Sequence, residues 1–115
     1  MSMKKSLVLA SAALVLSTGA LAATDKQAVV NFASCAKPVY PAEALAANRT
    51  GTVTLKFLIG TDGAVVDTGV AKSSGHADLD EAARTAIKLC KFSPAIKKGK
   101  PVQEWLHMQY VWTLQ

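Results

Sequence analysis

Few side chains in this sequence could do chemistry: Cys35 and Cys90, the loop Ser73-Ser74-Gly75-His76-Ala77-Asp78, His107, and the tryptophans Trp105 and Trp112. The loop holds the residue types of a hydrolase. Nucleophilic catalysis, however, needs a base held against the serine and an acid held behind the base, and neighbours in one loop do not provide that geometry. Loop serines and a helix-capping Asp78 explain the same residues, so no catalytic residue is expected and the chain does not read as an enzyme. Cys35, Cys90, His76 and His107 are four zinc-type ligands, but none share the close paired spacing of a structural zinc motif. No metal and no cofactor are expected. Trp105 and Trp112 fall at odd and even positions of one strand and face opposite sides, Trp112 in the core series and Trp105 toward water or a partner.

What the cysteines do depends on the compartment. Met3-Lys4-Lys5 is followed by a run, Leu7 to Leu16, that is apolar except for Ser11, and then by Ser17-Thr18-Gly19 and Ala20-Leu21-Ala22-Ala23. A cationic start, a short apolar middle and small residues before a cut make a secretory signal, with cleavage expected after Ala22. The rival, an uncleaved anchor, needs ~20 apolar residues to cross the bilayer, and the run has about half that. The expected location is the periplasm, with no membrane span after cleavage. In that oxidising compartment an even pair of cysteines is first read as a disulfide, Cys35 to Cys90. Such a bond would stabilise the fold by roughly 4 kcal/mol in the chain-entropy model. Free thiols or bound zinc would instead indicate a redox or metal-binding protein.

Removal of residues 1–22 leaves about 93, enough for one modest core and no second domain. The chain carries 13 basic and 8 acidic residues, and Lys4 and Lys5 leave with the signal, so the mature excess is 11 over 8. Nucleic-acid binding would need basic residues clustered on one face with stacking aromatics. The one local run, Lys97-Lys98-Gly99-Lys100, reads as a solvated turn, and no nucleic-acid partner is expected.

The elements follow from periodicity. Residues 23–36 have none and read as an extended lead-in, flexible before the cysteine. Pro41 opens a short helix through Ala42 to Ala47, ended by Gly51. From Thr52 to Ile59, Val53, Leu55, Phe57 and Ile59 alternate with Thr52, Thr54 and Lys56, the period of a half-buried strand that Leu58 interrupts. Gly60-Thr61-Asp62-Gly63 turns the chain into a second strand, Ala64 to Lys72. Val65 and Val70 are an odd number apart and cannot share a face without a bulge, expected near Asp67 to Gly69.

Asp78 with Glu81 three residues on, and Asp80 in the first turn, signal the start of a second helix. Lys88 and Lys91 complement its far end. Its apolar stripe is Leu79, Ala82, Ala83, Ala86, Ile87 and Cys90. Ser93-Pro94 stops it, Gly99-Lys100-Pro101 turns, and Val102 to Leu114 forms the longest strand, with Leu106, Met108, Tyr110, Trp112 and Leu114 on one face. The order α-β-β-α-β gives an α+β fold, a three-stranded antiparallel sheet with two helices packed on one face.

Taken in order, Tyr40-Pro41, Gly51-Thr52-Val53, Asp62-Gly63, Ser73-Ser74-Gly75, Leu79-Asp80-Glu81-Ala82-Ala83, Phe92-Ser93-Pro94-Ala95 and Gly99-Lys100-Pro101-Val102 resemble the TonB C-terminal domain family, from about Tyr40 to Leu114. The resemblance implies a domain (37–115) that docks outer-membrane TonB-dependent receptors through the edge of its last strand. There it accepts an extended peptide, the receptor's TonB box, by β-strand addition. The docking edge then falls on His107, Met108, Gln109, Tyr110, Val111, Trp112 and Thr113. The resemblance also gives Gly51, Gly75 and Gly99 to turns and Phe92 and Pro94 to packing after the second helix, with Tyr40, Pro41 and Pro101 completing the pattern.

Three departures qualify it. The N-terminal segment lacks the histidine of an energy-transducing anchor, no long Pro-rich spacer follows, and Cys90 stands where the pattern often has Trp. The expectation is therefore a receptor-binding or other envelope-protein-binding domain associated with TonB-dependent transport, without its own anchor and spacer. The rival is a homodimer or assembly module that pairs through the same strand.

Overall fold

The computed structural model describes residues 25–114; the expected signal, 1–22, and its cut lie outside them. In chain order the elements are β1 (Val29–Asn31), a 3-10 turn (Phe32–Ser34), α1 (Ala42–Ala46), β2 (Gly51–Ile59), β3 (Val65–Lys72), α2 (Ala77–Ile87), β4 (Lys91–Ser93), β5 (Ala95–Lys97), β6 (Lys100–Val102) and β7 (Glu104–Trp112). The fold is α+β, with the expected three-stranded antiparallel sheet in the order β3-β2-β7.

The central strand is the one with the cleanest alternation. Val53, Leu55, Phe57 and Ile59 have no exposed surface, whereas Thr54, Lys56 and Leu58 on the other face are half-buried. A strand flanked on both sides and covered on one face loses its apolar side chains to the core completely. That face is covered by α2, which buries Leu79, Ala83 and Ile87. The shorter α1 buries only Ala44. From β7 comes Trp112, with Leu106, Met108 and Tyr110 packed at the margin. Trp105, on the opposite face, is 40% exposed, so the two tryptophans do face opposite sides.

Two bulges, not one, shape β3, and neither lies within Asp67 to Gly69. Ile59 pairs with Val65 but Leu58 with Asp67, leaving Val66 extra; Leu55 pairs with Val70 but Thr54 with Lys72, leaving Ala71 extra. The first bulge does what the spacing of Val65 and Val70 demanded, one residue early: with Val66 set aside, both valines pair with core residues, Ile59 and Leu55.

Three boundaries differ for identifiable reasons. The first helix ends at Ala46, capped by Ala47 and followed by Asn48 in a left-handed φ of 56°, and not at Gly51. Gly51 is the first residue of β2, where a Cβ would stand 2.7 Å from the carbonyl oxygen of Ser74. The second helix is capped at His76 and not Asp78. Its start is drawn back because Asp80 reaches behind it, accepting hydrogen bonds from the Ser73 hydroxyl and, at 2.8 Å, from the Ser74 amide. Asp78 is instead bound by Arg49 at 2.8 Å, and Lys91 belongs to β4, beyond the helix.

The lead-in is extended but held. β1 pairs with β4, Val30 opposite Phe92, and Lys26 exchanges main-chain hydrogen bonds with Ile96. A disulfide joins Cys35 to Cys90 across a sequence separation of 55, with Cα atoms 4.6 Å apart. β5 and β6 form a small hairpin of their own. Among the described residues no helix is long and apolar enough to cross a membrane.

Candidate functional site

The site is built on β7. Its nine residues pair one for one with β2, from Gly51 opposite Trp112 to Ile59 opposite Glu104, with no shift of register. Its other edge has no strand beside it among the described residues. Among the described residues the lead-in makes its main-chain bonds to β4 and Ile96, and not to β7. An edge with unclaimed amides and carbonyls is a template for another chain. Among the described residues the opposite edge, on β3, is open too, but its two bulges break the regular row that a guest strand needs.

Six of the seven expected edge residues lie on β7, and Thr113 follows its end. His107, Gln109 and Val111 face outward and are exposed; Met108, Tyr110 and Trp112 face the helices. On the outward face the Lys56 ammonium sits 5.0 Å from the centre of the Trp105 ring, so that this exposed tryptophan is partly shielded by a cation and not by the core.

The end of the strand is fixed by an aromatic cluster. Trp112 meets the edges of Tyr40 and Tyr110, each with ring centroids 4.9 Å away. Its indole Nε1 donates to the Leu79 carbonyl at 3.2 Å. The Tyr40 hydroxyl donates to the carbonyl of Arg49, and burial pushes the Tyr110 hydroxyl pKa up. Beside this end of β7 runs the segment Lys37 to Tyr40. Between them lies a cleft of about 250 Å³, lined by Lys37, Pro38 and Tyr40 on one side and by Tyr110 to Thr113 on the other. Sequence reading did not single out Lys37 and Pro38. The only signal was the pair of prolines, Pro38 and Pro41, that keeps the chain extended there.

The remaining candidates have structural tasks. Ser73 and Ser74 bind Asp80, and the Ser74 hydroxyl also contacts the main chain of His76, while no hydrogen bond joins either serine to the imidazole. Both cysteines are in the disulfide, which leaves no thiolate for metal or redox chemistry in this state. Gly75 and Gly99 take left-handed φ values of 98° and 79° in turns. Pro41 caps α1. Phe92 is buried against Phe57, rings 5.6 Å apart; Pro94 separates β4 from β5, and Pro101 pairs with Ile96.

These features define a class: a small α+β domain whose three-stranded sheet, among the described residues, leaves one long, regular strand edge unpaired. The profile of the Gram-negative bacterial TonB protein C-terminal family matches residues 36–114, and the chain belongs to that family. It is 36% identical over 84 residues to Protein TonB of Vibrio cholerae, an alignment covering 73% of this chain and 34% of that protein. It is 38% identical over 69 residues to Protein tonB2 of Pseudomonas aeruginosa, covering 60% and 26%. The chain thus spans about a third or less of the length of these relatives. The solution NMR structure of the Pseudomonas aeruginosa TonB C-terminal domain is similar with a TM-score of 0.61 and 26% identity, over 81% of this chain and 92% of that one.

Proposed function

We propose that this domain binds, in the periplasm, an extended segment of an outer-membrane TonB-dependent receptor or another envelope protein, which adds as a strand to the free edge of β7. The observation that carries the reading is the unbroken nine-residue register of β7 on β2, beside an edge that no strand of the described residues takes up. Main-chain hydrogen bonds to His107 through Thr113 supply affinity, and alternate side chains supply selectivity. The work is recognition and not catalysis. Export by a signal cleaved after Ala22 delivers the domain to its partner.

The test is an NMR titration of the full chain with TonB-box peptides. Amide shifts centred on Glu104 through Thr113 are expected. Undisturbed amides there at millimolar peptide would overturn the reading, as would sedimentation showing the same edge already consumed in a strand-linked dimer.

A further inference from the structure

An apolar pocket adjoins the docking edge on the helix side of the sheet. It measures about 380 Å³ and is lined by Phe32, Cys35, Pro38, Ile87 and Tyr110, among others. Lys37, Pro38 and Tyr110 line both this pocket and the cleft against the strand edge, so the two are neighbours. We propose that this pocket receives one large apolar side chain, of the Leu, Ile or Phe kind, from the added strand, at the residue that pairs with Tyr110. The inference rests on strand addition to β7 and names what the added segment must carry.

Sheet geometry selects the position. Tyr110 pairs with Val53, a core residue, so its side chain is on the helix face. Residues directly opposite across two strands share a face. A guest residue opposite Tyr110 on the free side therefore projects to the helix face, where the pocket opens. Two residues along, opposite Trp112, the Tyr40 ring already occupies that face. The guest residues between project to the solvated face with His107, Gln109 and Val111.

The chain's own disulfide builds the wall. Cys35 lines the pocket, and its bond to Cys90 fastens the segment Phe32 to Pro38 to the residues after α2. The Ser34 hydroxyl adds a second tie by accepting a hydrogen bond from the Lys91 amide at 2.8 Å. A wall fixed before binding spares the complex the entropy of ordering it. Phe32 and Cys35 lie just ahead of the family-matched residues 36–114, whereas Ala36, Lys37 and Pro38 lie within them.

The experiment measures affinities of the full chain for synthetic octapeptides of alternating Thr and Val that carry Leu, Ala or Asp at each position in turn. One position should prefer Leu over Ala by about tenfold or more, the effect of burying one such side chain. Asp there should bind worst, because the pocket offers a carboxylate little hydration. Ala36 is exposed and lines the pocket. Ala36→Phe should therefore fill it without disturbing the core, reducing the Leu preference to less than about threefold while the Ala peptide binds as before. Peptides that bind with no position preferring Leu, or a preference untouched by Ala36→Phe, overturn the pocket and leave strand addition standing. Peptides that shift no β7 amide overturn strand addition, and the pocket with it.

Discussion

The indole of Trp112 donates to the main-chain carbonyl of Leu79 across 3.2 Å, so β7 is fastened at its end to the first turn of α2. The hydrogen bond is buried, and the ring that makes it is 3% exposed. Trp112→Phe keeps most of the apolar volume and loses the donor, and should cost about 1 kcal/mol. Trp112→Ala also leaves a cavity under Tyr40 and Tyr110 and should cost about 3–5 kcal/mol. Urea unfolding of the two variants beside the parent checks the order; equal costs would mean that the hydrogen bond, and not the packing, dominates.

The Cys35–Cys90 bond closes a loop spanning 55 positions. Replacing both cysteines by Ala should lower the unfolding free energy by roughly 4 kcal/mol through the longer-ranging unfolded chain, a large share of a small domain's stability. The loss should be uneven. β1 has only three residues paired with β4, so its amides should exchange with solvent much faster, while those of β2 keep the protection of the remaining global stability. Hydrogen exchange on the double variant measures both.

The sequence made legible what long periodic segments specify. β2, β3, α2 and β7 each carry enough residues for a period to show, and the disulfide followed from two cysteines and the compartment. The three-residue strands β1, β4, β5 and β6 have no period to read. Val29 to Asn31 becomes a strand only because Lys91 to Ser93, far along the chain, lies beside it. The helix start was misplaced because Asp78 and Glu81 fit a capping box, yet Arg49 takes the first acid and Arg84 the second. The pocket beside Tyr110 was invisible for a related reason. Its walls come from the lead-in, the end of α2 and the last strand, and only the tertiary fold brings these together.

Asp80 is a buried acid on which the loop before α2 depends. Burial alone would push its carboxyl up, but the hydrogen bonds from Ser73 and Ser74, with the nearby charge of His76, outweigh that and hold its pKa below the ordinary carboxylate value. A folded pKa below the unfolded one adds stability that is fully present above the unfolded pKa and is lost as pH falls through the folded one. Asp80→Asn should therefore cost about 1–3 kcal/mol near neutrality, and the gap between variant and parent should narrow below the ordinary carboxylate range. Unfolding free energies of both proteins from neutral pH to about pH 2 reveal the convergence; parallel curves would show that the charge of Asp80 adds nothing to its hydrogen bonds.

Strand addition makes a demand that side-chain contacts do not. In an extended guest, only every second residue turns its amide and carbonyl toward β7, and the others turn theirs to water. N-methylation of one residue removes one donor and adds bulk at that point alone. Along a TonB-box peptide, methylation at successive residues should therefore alternate in effect. Residues of one parity should lose affinity by about tenfold, the value of a main-chain hydrogen bond with its steric fit, and those of the other parity should bind nearly as the parent peptide does. The alternation should extend over the guest residues that face His107 through Thr113 and fade beyond them, because β7 ends at Trp112. Isothermal titration across the methylated series measures it. A smooth profile with no alternation would show that the guest is held by its side chains on the outward face, around Trp105 and Val111, and not by the open edge.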